Sequence, residues 1–229
     1  MQKECLICGK QIKYIQEERE MECSLCHKKL MTKTFCVKGH YVCDDCHTNN
    51  LDNITNICMN TDSSNPIDIL NKLMDEEFCH VHGPEHHILV GASLLTAYKN
   101  AGGDINLEKS LIELINRAKS VPGGTCGFWG ACGAGISTGM FVSIISNSTP
   151  LTKKGFKLSN KMTSKSLNTI ADIGGPRCCK RDSYLSILSA ISFIDKQYDV
   201  VMQRSQITCK YSKYNNECIK DRCPFYQKG

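Results

Sequence analysis

Residues 123–139 read GGTCGFWGACGAGISTG, a glycine-rich stretch that holds two cysteines and the only tryptophan of the chain. Small side chains recur there every four positions, at Gly127, Ala131, Gly135, Gly139 and Ser143. On a helix this spacing makes one smooth ridge, which a second backbone or a cofactor can approach closely. Each glycine costs about 1 kcal/mol in a helix interior, so close packing or a bound group must offset that cost.

The two cysteines of this stretch, Cys126 and Cys132, have two interpretations. If the helix begins just after Cys126, the positive end of its dipole favours the Cys126 thiolate. Cys132 would then lie on the helix as a ligand or a redox thiol. The alternative is a tightly packed core helix in which Cys132 is buried and inert.

Cysteine is the most informative residue type in the composition, with sixteen among 229 residues. The N-terminus, MQKECLICGK, has no apolar signal segment, and no stretch is long and apolar enough to span a membrane. We therefore expect a cytoplasmic protein with no membrane partner. Its thiols should be reduced and should act as metal ligands or redox groups.

Residues 1–48 carry eight potential metal ligands in four closely spaced pairs, and they predict a small zinc-binding module. The pairs are Cys5 with Cys8, Cys23 with Cys26, Cys36 with His40, and Cys43 with Cys46. Such short spacers let both members of a pair reach one ion, and eight ligands are enough for two tetrahedral zinc ions. Rubredoxin-type iron is the main competitor for an all-cysteine site.

Two ways of combining the four pairs stay open. Sequential pairing joins the first pair to the second and the third to the fourth. Cross-braced pairing, which resembles RING and PHD fingers, joins alternate pairs. The module is therefore zinc-ribbon-like or RING/PHD-like, and His27 or His47, beside ligand cysteines, could replace a member of either set.

After this module the sequence predicts a linker at residues 49–64 and an all-α domain at residues 65–229 with a C-terminal cysteine tail. Asn65 followed by Pro66 marks a helix start, with Asn as N-cap and Pro at the first position. The helix predicted after Pro84 is apolar nearly all round and must be buried. The predicted fold class is mainly α.

Residues 79–87, CHVHGPEHH, crowd a cysteine, four histidines and a glutamate at the start of that buried helix. A helix N-terminus favours neutral imidazole, the form that binds metal or acts as a base. We expect His82, Glu85 and His86 to be catalytic, as ligands or proton carriers. The alternative is a set of capping and core-edge histidines.

Cys178 and Cys179 are adjacent, lie just before another predicted helix and have three basic neighbours. Those cations are expected to lower the pKa values of the thiols. Three segments thus place thiols or imidazoles at helix starts. If these starts converge, they form an electropositive pocket with Cys126 and Cys179 as catalytic thiols, and Cys132 and Cys178 as cofactor ligands.

The C-terminal tail carries Cys209, Cys218 and Cys223, the last of them followed by proline, as in iron–sulfur ligand runs. Three ligands leave the fourth to come from elsewhere, or leave one iron open to substrate. We expect an iron–sulfur cluster here, with a third zinc site as the alternative.

Basic residues are concentrated between residues 151 and 181, although the formal net charge of the chain is only +5. Eight lysines and arginines face a single acidic residue, Asp172, in this range. This pattern predicts an anionic substrate or RNA as a partner, or simply a solvated lysine-rich face. The zinc module could also bind a protein partner.

The segments GHYVCDDCH, HVHGPEHH, GGTCGFWGACGAG, GPRCCKR and CPFY together resemble a cysteine-rich family of anaerobic bacteria and methanogens, a domain of unknown function. The resemblance covers nearly the whole chain and implies an anaerobic, cytosolic setting without supplying an activity. The glycine stretch and the Cys178–Cys179 pair are also similar to redox-associated proteins named for a GCAxxG motif, although the order here is Gly-Ala-Cys-Gly-Ala-Gly.

These features favour a metal-dependent redox or sulfur-handling protein of anaerobic metabolism, with an iron–sulfur cluster or reactive thiols at a convergent cysteine–histidine site. The sequence leaves open whether the chain is an enzyme. One alternative is a zinc-finger binding module for RNA or protein, with structural cysteines. The other is an accessory subunit of a methyl- or sulfur-transfer enzyme.

Overall fold

The computed structural model describes residues 4–47 and 52–227, and the prediction of a mainly helical chain is confirmed there. A two-stranded antiparallel sheet comes first, and helices follow it. The strands are β1 (Ile12–Glu22) and β2 (Lys29–Cys36). The helices are α1 (Asp44–His47), α2 (Asp52–Met59), α3 (Pro66–Asp75), α4 (His86–Asn100), α5 (Leu107–Ala118), α6 (Thr125–Phe128), α7 (Gly133–Ile145), α8 (Lys153–Ile173) and α9 (Cys179–Gln197). Two short 3-10 turns, Ser212–Tyr214 and Lys220–Arg222, lie in the C-terminal tail.

The sheet brings the third ligand pair towards the first. In the antiparallel register Ile12 lies opposite Cys36, so the end of β2 is close to the segment that carries Cys5 and Cys8. Along β1 every side chain is exposed or half-buried. Apolar burial therefore contributes little to the stability of this hairpin.

Helix α4 is the centre of the helical part of the chain. Every residue from His86 to Tyr98 is buried, as the apolar sequence predicts. Helices α2, α3, α5, α7 and α9 pack against α4, and α8 packs against α7 and α9. Across residues 4–47 and 52–227, none of the helices combines the length and the apolar composition needed to cross a lipid bilayer.

The glycine-rich stretch forms two helices rather than one. Gly130 has a φ of 64°, a conformation that interrupts the helix between α6 and α7. Cys126 therefore lies within α6, and Cys132 is the N-cap residue of α7. The expectation of one continuous ridge that starts at Gly127 is wrong, and only its last part lies on α7.

The glycines that remain on α7 permit close packing against α8. A Cβ atom added at Gly135 would lie 2.7 Å from Leu167 Cδ2. A Cβ atom added at Gly139 would collide with Thr163 Oγ1 and lie 3.1 Å from the Ser159 carbonyl oxygen. Close helix packing thus offsets the cost of these glycines. Of the two interpretations of the ridge, this one is packing against a second helix and not the binding of a cofactor.

Part of the segment assigned to a linker is helical. Helix α2 lies within residues 49–64 and buries Ile54 and Cys58 completely, in the same core as α3 and α4. The many Asn and Asp residues around them obscure this apolar face in the sequence. The domain boundaries at residues 48 and 64 stay a prediction.

Replacing Gly139 with alanine tests the contact between α7 and α8. Crowding of a packed site costs about 1–3 kcal/mol, and the gain in helix propensity returns about 1 kcal/mol. Gly139→Ala should therefore lower the free energy of unfolding, measured by urea denaturation. Gly127→Ala is the control, because the added methyl group has no described atom within 4 Å apart from its chain neighbours and the backbone of its own helix. Equal stability of the two variants would contradict the close contact.

Candidate metal centres and a cysteine–histidine cavity

Residues 4–47 bring eight ligand atoms into two sets that could each hold a metal ion. The sets are Cys5, Cys8, Cys36 and His40, and Cys23, Cys26, Cys43 and Cys46, with ligand atoms within 4.8 Å of one another in each set. The Sγ atoms of Cys8 and Cys36 are 3.5 Å apart, and those of Cys26 and Cys43 are 3.7 Å apart. Sulfurs around one tetrahedral ion lie about 3.8 Å apart. Both sets are therefore close to the geometry that an ion requires.

The two sets combine alternate ligand pairs, as in the cross-braced arrangement and unlike the sequential one. The Ser24 backbone N–H donates to the Tyr41 carbonyl oxygen over 2.7 Å, and the Cys43 N–H donates to Cys23 Sγ over 3.4 Å. These bonds fold the fourth pair back onto the second. His27 does not replace a cysteine, since its exposed ring lies 2.9 Å from a Glu22 carboxylate oxygen.

A cavity of about 410 Å³ lies between the sheet and the helical part of the chain. Tyr14 and Phe35, from the two strands, line it on one side. The segments at the starts of α4, α6, α7 and α9 line it on the other, and they contribute His82, His86, Cys126, Cys132, Cys179 and Asp182. The three segments with thiols or imidazoles at helix starts therefore meet around one space.

His82 and His86 are uncharged imidazoles on the wall of this cavity. Burial, together with a nearby cation, lowers the pKa of each to about 3. His82 Nε2 lies 3.2 Å from Asn215 Oδ1, and His86 Nδ1 donates to the Gly83 carbonyl oxygen over 3.2 Å. Both rings have the neutral form that was expected, while their roles as bases or ligands stay predictions.

Glu85 is completely buried just before α4 and is ionised. Burial alone would raise the pKa of Glu85, but the nearby side chains of His80 and His86 hold it well below its usual range. The His80 backbone N–H also donates to Glu85 Oε1 over 2.9 Å. The second carboxylate oxygen, Oε2, has no hydrogen-bond partner in the part of the chain that the structure describes.

Two further groups of ligand type share Glu85. They are His47, His80 and Glu85, and Cys79, Glu85 and His86, and in each the ligand atoms lie within 4.8 Å of one another. Cys79, His80 and His47 were not among the residues predicted for this place. The CHVHG pattern puts the first two beside the predicted site, but only the fold brings His47, from α1, next to them.

Burial raises the pKa values of the thiols that were expected to be activated at helix starts. The pKa of Cys132 rises to about 12 and that of Cys178 to about 11. The pKa values of Cys126 and Cys179 are raised as well, since removal from water outweighs the charge of Arg177 beside them. The expectation of lowered pKa values was therefore wrong, and these thiols are protonated at neutral pH unless they bind a metal.

The three tail cysteines lie around Cys178. A second, smaller cavity with largely apolar walls is lined by Cys178, Cys209, Cys218 and Cys223. The Lys220 backbone N–H donates to Cys218 Sγ, and the Asn215 side-chain amide donates to Cys178 Sγ, each over 3.5 Å. Cys132, which the sequence analysis grouped with these cofactor ligands, lines the larger cavity instead.

The basic segment between residues 151 and 181 is divided between surface and interior. Its exposed part is the start of α8, with Lys153, Lys154, Lys157 and Lys161. Lys180 and Arg181 are buried; Lys180 Nζ donates to Cys79 Sγ over 3.0 Å, and Arg181 Nε donates to Asp182 Oδ1 over 3.0 Å. Within this segment, the exposed positive charge is therefore mainly that of the lysines at the start of α8.

The alternate pairing of ligands predicts how metal is lost from double variants. Cys8→Ser with His40→Ala removes two ligands from one set and should cost one ion. Cys8→Ser with Cys26→Ser damages both sets and should cost two ions. Sequential pairing predicts the reverse order, so metal content per chain, measured by mass spectrometry against the wild type, distinguishes the two arrangements.

The raised pKa of Cys132 predicts slow alkylation. With a pKa of about 12 instead of the ordinary 9.0, its thiolate fraction near pH 8 is about a thousandfold below that of an ordinary cysteine. Iodoacetamide should therefore leave Cys132 largely unmodified while it consumes glutathione, and labelling should increase as the pH rises. Mass spectrometry of the Cys132 peptide measures the extent, and rapid labelling near pH 8 would contradict burial as the dominant effect.

Comparison with known proteins gives one assignment. No curated protein and no solved structure matches the chain. The family of unknown function DUF5714 matches residues 54–226, a range that takes in Glu85, the cavity thiols and the tail cysteines. The resemblance to a cysteine-rich domain of unknown function is thus confirmed, while the anaerobic setting and the GCAxxG similarity stay predictions. Because the match covers most of its length, the chain belongs to the family of unknown function DUF5714.

Proposed function

We propose that this protein is an iron–sulfur redox protein that acts on a small anionic substrate. The cluster ligands in this proposal are Cys178, Cys209, Cys218 and Cys223. One observation carries the proposal: these four cysteines, from two separate segments of the chain, line the same small cavity. Four cysteine thiolates are the usual ligand set of [2Fe–2S] and [4Fe–4S] clusters.

The spacing of the four sulfurs favours a cluster over a single ion. Among the described residues, the sets whose ligand atoms all lie within 4.8 Å of one another do not include these four cysteines. One zinc or iron ion holds its sulfurs about 3.8 Å apart. A cluster binds the cysteines through different iron atoms and suits a wider set.

The surroundings of the small cavity also suit a cluster. Tyr184 and Phe225 give it apolar walls, and the donors from Lys220 and Asn215 point at two of its sulfurs. Hydrogen bonds to the sulfurs and exclusion of water are the features by which a protein sets the potential of a cluster. The small cavity has donors to two of its sulfurs and largely apolar walls.

For the two sets in residues 4–47 we infer zinc. Sets of four cysteines, or of three cysteines and one histidine, in tetrahedral geometry are typical of structural zinc sites, and zinc has no redox chemistry of its own. The ions would hold the sheet in place as one wall of the large cavity. They would take no part in electron transfer.

The large cavity is the proposed place of the substrate. Cys178 lines the small cavity and its neighbour Cys179 lines the large one, so a single peptide unit joins the two. Arg177 also lines the large cavity, and its Nη2 atom is buried with no hydrogen-bond partner among the described residues. An anionic group would satisfy this nitrogen.

Replacement of single tail cysteines tests the cluster. Protein purified without oxygen should contain iron and an equal amount of acid-labile sulfide, with a broad visible absorbance. Cys218→Ser and Cys209→Ser should lose iron, sulfide and absorbance together. Cys58→Ser is the control for a buried cysteine elsewhere, and Cys126→Ser, in the large cavity, should keep the cluster.

Two results would overturn this proposal. One is full retention of iron and sulfide in both tail variants. The other is a metal ion without sulfide that is lost with Cys218, because that result would identify a third single-ion site instead of a cluster.

A further inference from the structure

We propose that His47, His80 and Glu85 form a separate metal site for one divalent transition-metal ion, such as Zn²⁺ or Fe²⁺, at the wall of the large cavity. The site joins the sheet-containing part of the chain to the helical part. It uses none of the tail cysteines and does not depend on the proposed cluster.

The first argument is that the three ligand atoms are buried and unsatisfied. His47 Nδ1, His80 Nδ1 and Glu85 Oε2 are all without a hydrogen-bond partner among the described residues. Glu85 is 0 % exposed. An ionised carboxylate oxygen in the interior is costly unless a cation or a donor meets it, and one divalent ion would satisfy all three atoms together.

The second argument is geometric. His47 Nδ1 lies 4.0 Å from Glu85 Oε2, and His80 Nδ1 lies 3.4 Å from Glu85 Oε1. Nitrogen and oxygen ligands of one tetrahedral ion lie about 3.3 Å apart. Small movements of side chains would therefore bring the three residues to coordination distance.

The neighbouring group of Cys79, Glu85 and His86 is less suited to hold an ion. Cys79 Sγ already accepts a hydrogen bond from Lys180 Nζ over 3.0 Å, and His86 Nδ1 already donates to the Gly83 carbonyl oxygen. The ammonium group of Lys180 is buried beside Cys79 and would repel a divalent cation. His86 lies 3.6 Å from Glu85 Oε1 and supports the carboxylate from the second side.

The ligand set indicates the chemistry that such a site can perform. Two histidines and one carboxylate leave coordination positions open, and this set is used in zinc and non-haem iron sites that act on a substrate. His47 is also one of the residues that line the large cavity. A molecule in the cavity could therefore reach an ion bound at this place.

Metal titration of the whole chain tests the site. After weakly bound ions have been removed with a mild chelator, Zn²⁺ is titrated by calorimetry into protein that keeps the two ions of residues 4–47. The wild type should bind one further equivalent. His80→Ala and Glu85→Gln should bind it more than about a hundredfold more weakly, because even residues that only support a ligand change affinity by 10–100-fold.

His87→Ala is the matched control. His87 is a buried histidine of α4, two residues after Glu85, but its Nδ1 already donates to the Val121 carbonyl oxygen over 3.2 Å. It should keep the further equivalent. His47→Gln is the second test variant, since the His47 side chain is 17 % exposed and its loss disturbs the core least. Circular dichroism and retention of the two other ions show that each variant is folded.

Absence of a further equivalent in the wild type would overturn the proposal, as would unchanged affinity in folded His47→Gln and His80→Ala. If Cys79→Ala removed the equivalent while His47→Gln kept it, the ion would belong to the neighbouring group and the proposal would be wrong. Cys218→Ser should bind the further equivalent normally, which separates failure of this site from failure of the proposed cluster.

Discussion

The grouping of candidate metal ligands in residues 4–47 is the constraint on which the rest of the structure depends. The most deeply buried side chains of this segment include Cys5, Cys23, Cys36 and Cys43, which belong to the two candidate ligand sets, while β1 buries none of its side chains. A segment this short gains little from apolar burial, so an ion held by either set would contribute its binding free energy to folding. Because the sheet is one wall of the large cavity, the cavity exists only when this segment is folded.

Buried charges are the second constraint, and they fix the starts of α4 and α9. Glu85, Lys180, Arg181 and Asp182 are all buried. Each has an oppositely charged or polar neighbour, since an unpaired charge in the interior would destabilise the fold strongly. Arg181 pairs with Asp182, and Lys180 reaches across to Cys79. Such pairing offsets part of the cost of burying these charges.

The spacing of cysteines and histidines was enough to predict the eight candidate ligands that residues 4–47 group into two sets. The apolar sequence after Pro84 predicted the buried helix α4, and the positions of thiols and imidazoles at helix starts predicted their grouping. The spacing could not predict which pairs combine, because that depends on how the hairpin folds back. The four-residue repeat concealed the break at Gly130, since a repeat shows which residues share a face but not where a helix ends. The sequence showed cations near Cys179 but not the depth of its burial, and burial dominates its pKa. The proximity of His47 to Glu85 is a long-range contact with no local pattern.

Cys178 and Cys179 are consecutive residues that line different cavities. Neighbouring Cα atoms are about 3.8 Å apart, and this distance is set by covalent bonds and not by packing. In an interior of low dielectric constant, a unit of charge gained or lost on one side of this dipeptide changes the electrostatic potential on the other side strongly. A change of charge in one cavity would therefore shift the electrostatic potential in the other, and no conformational change is needed for this coupling.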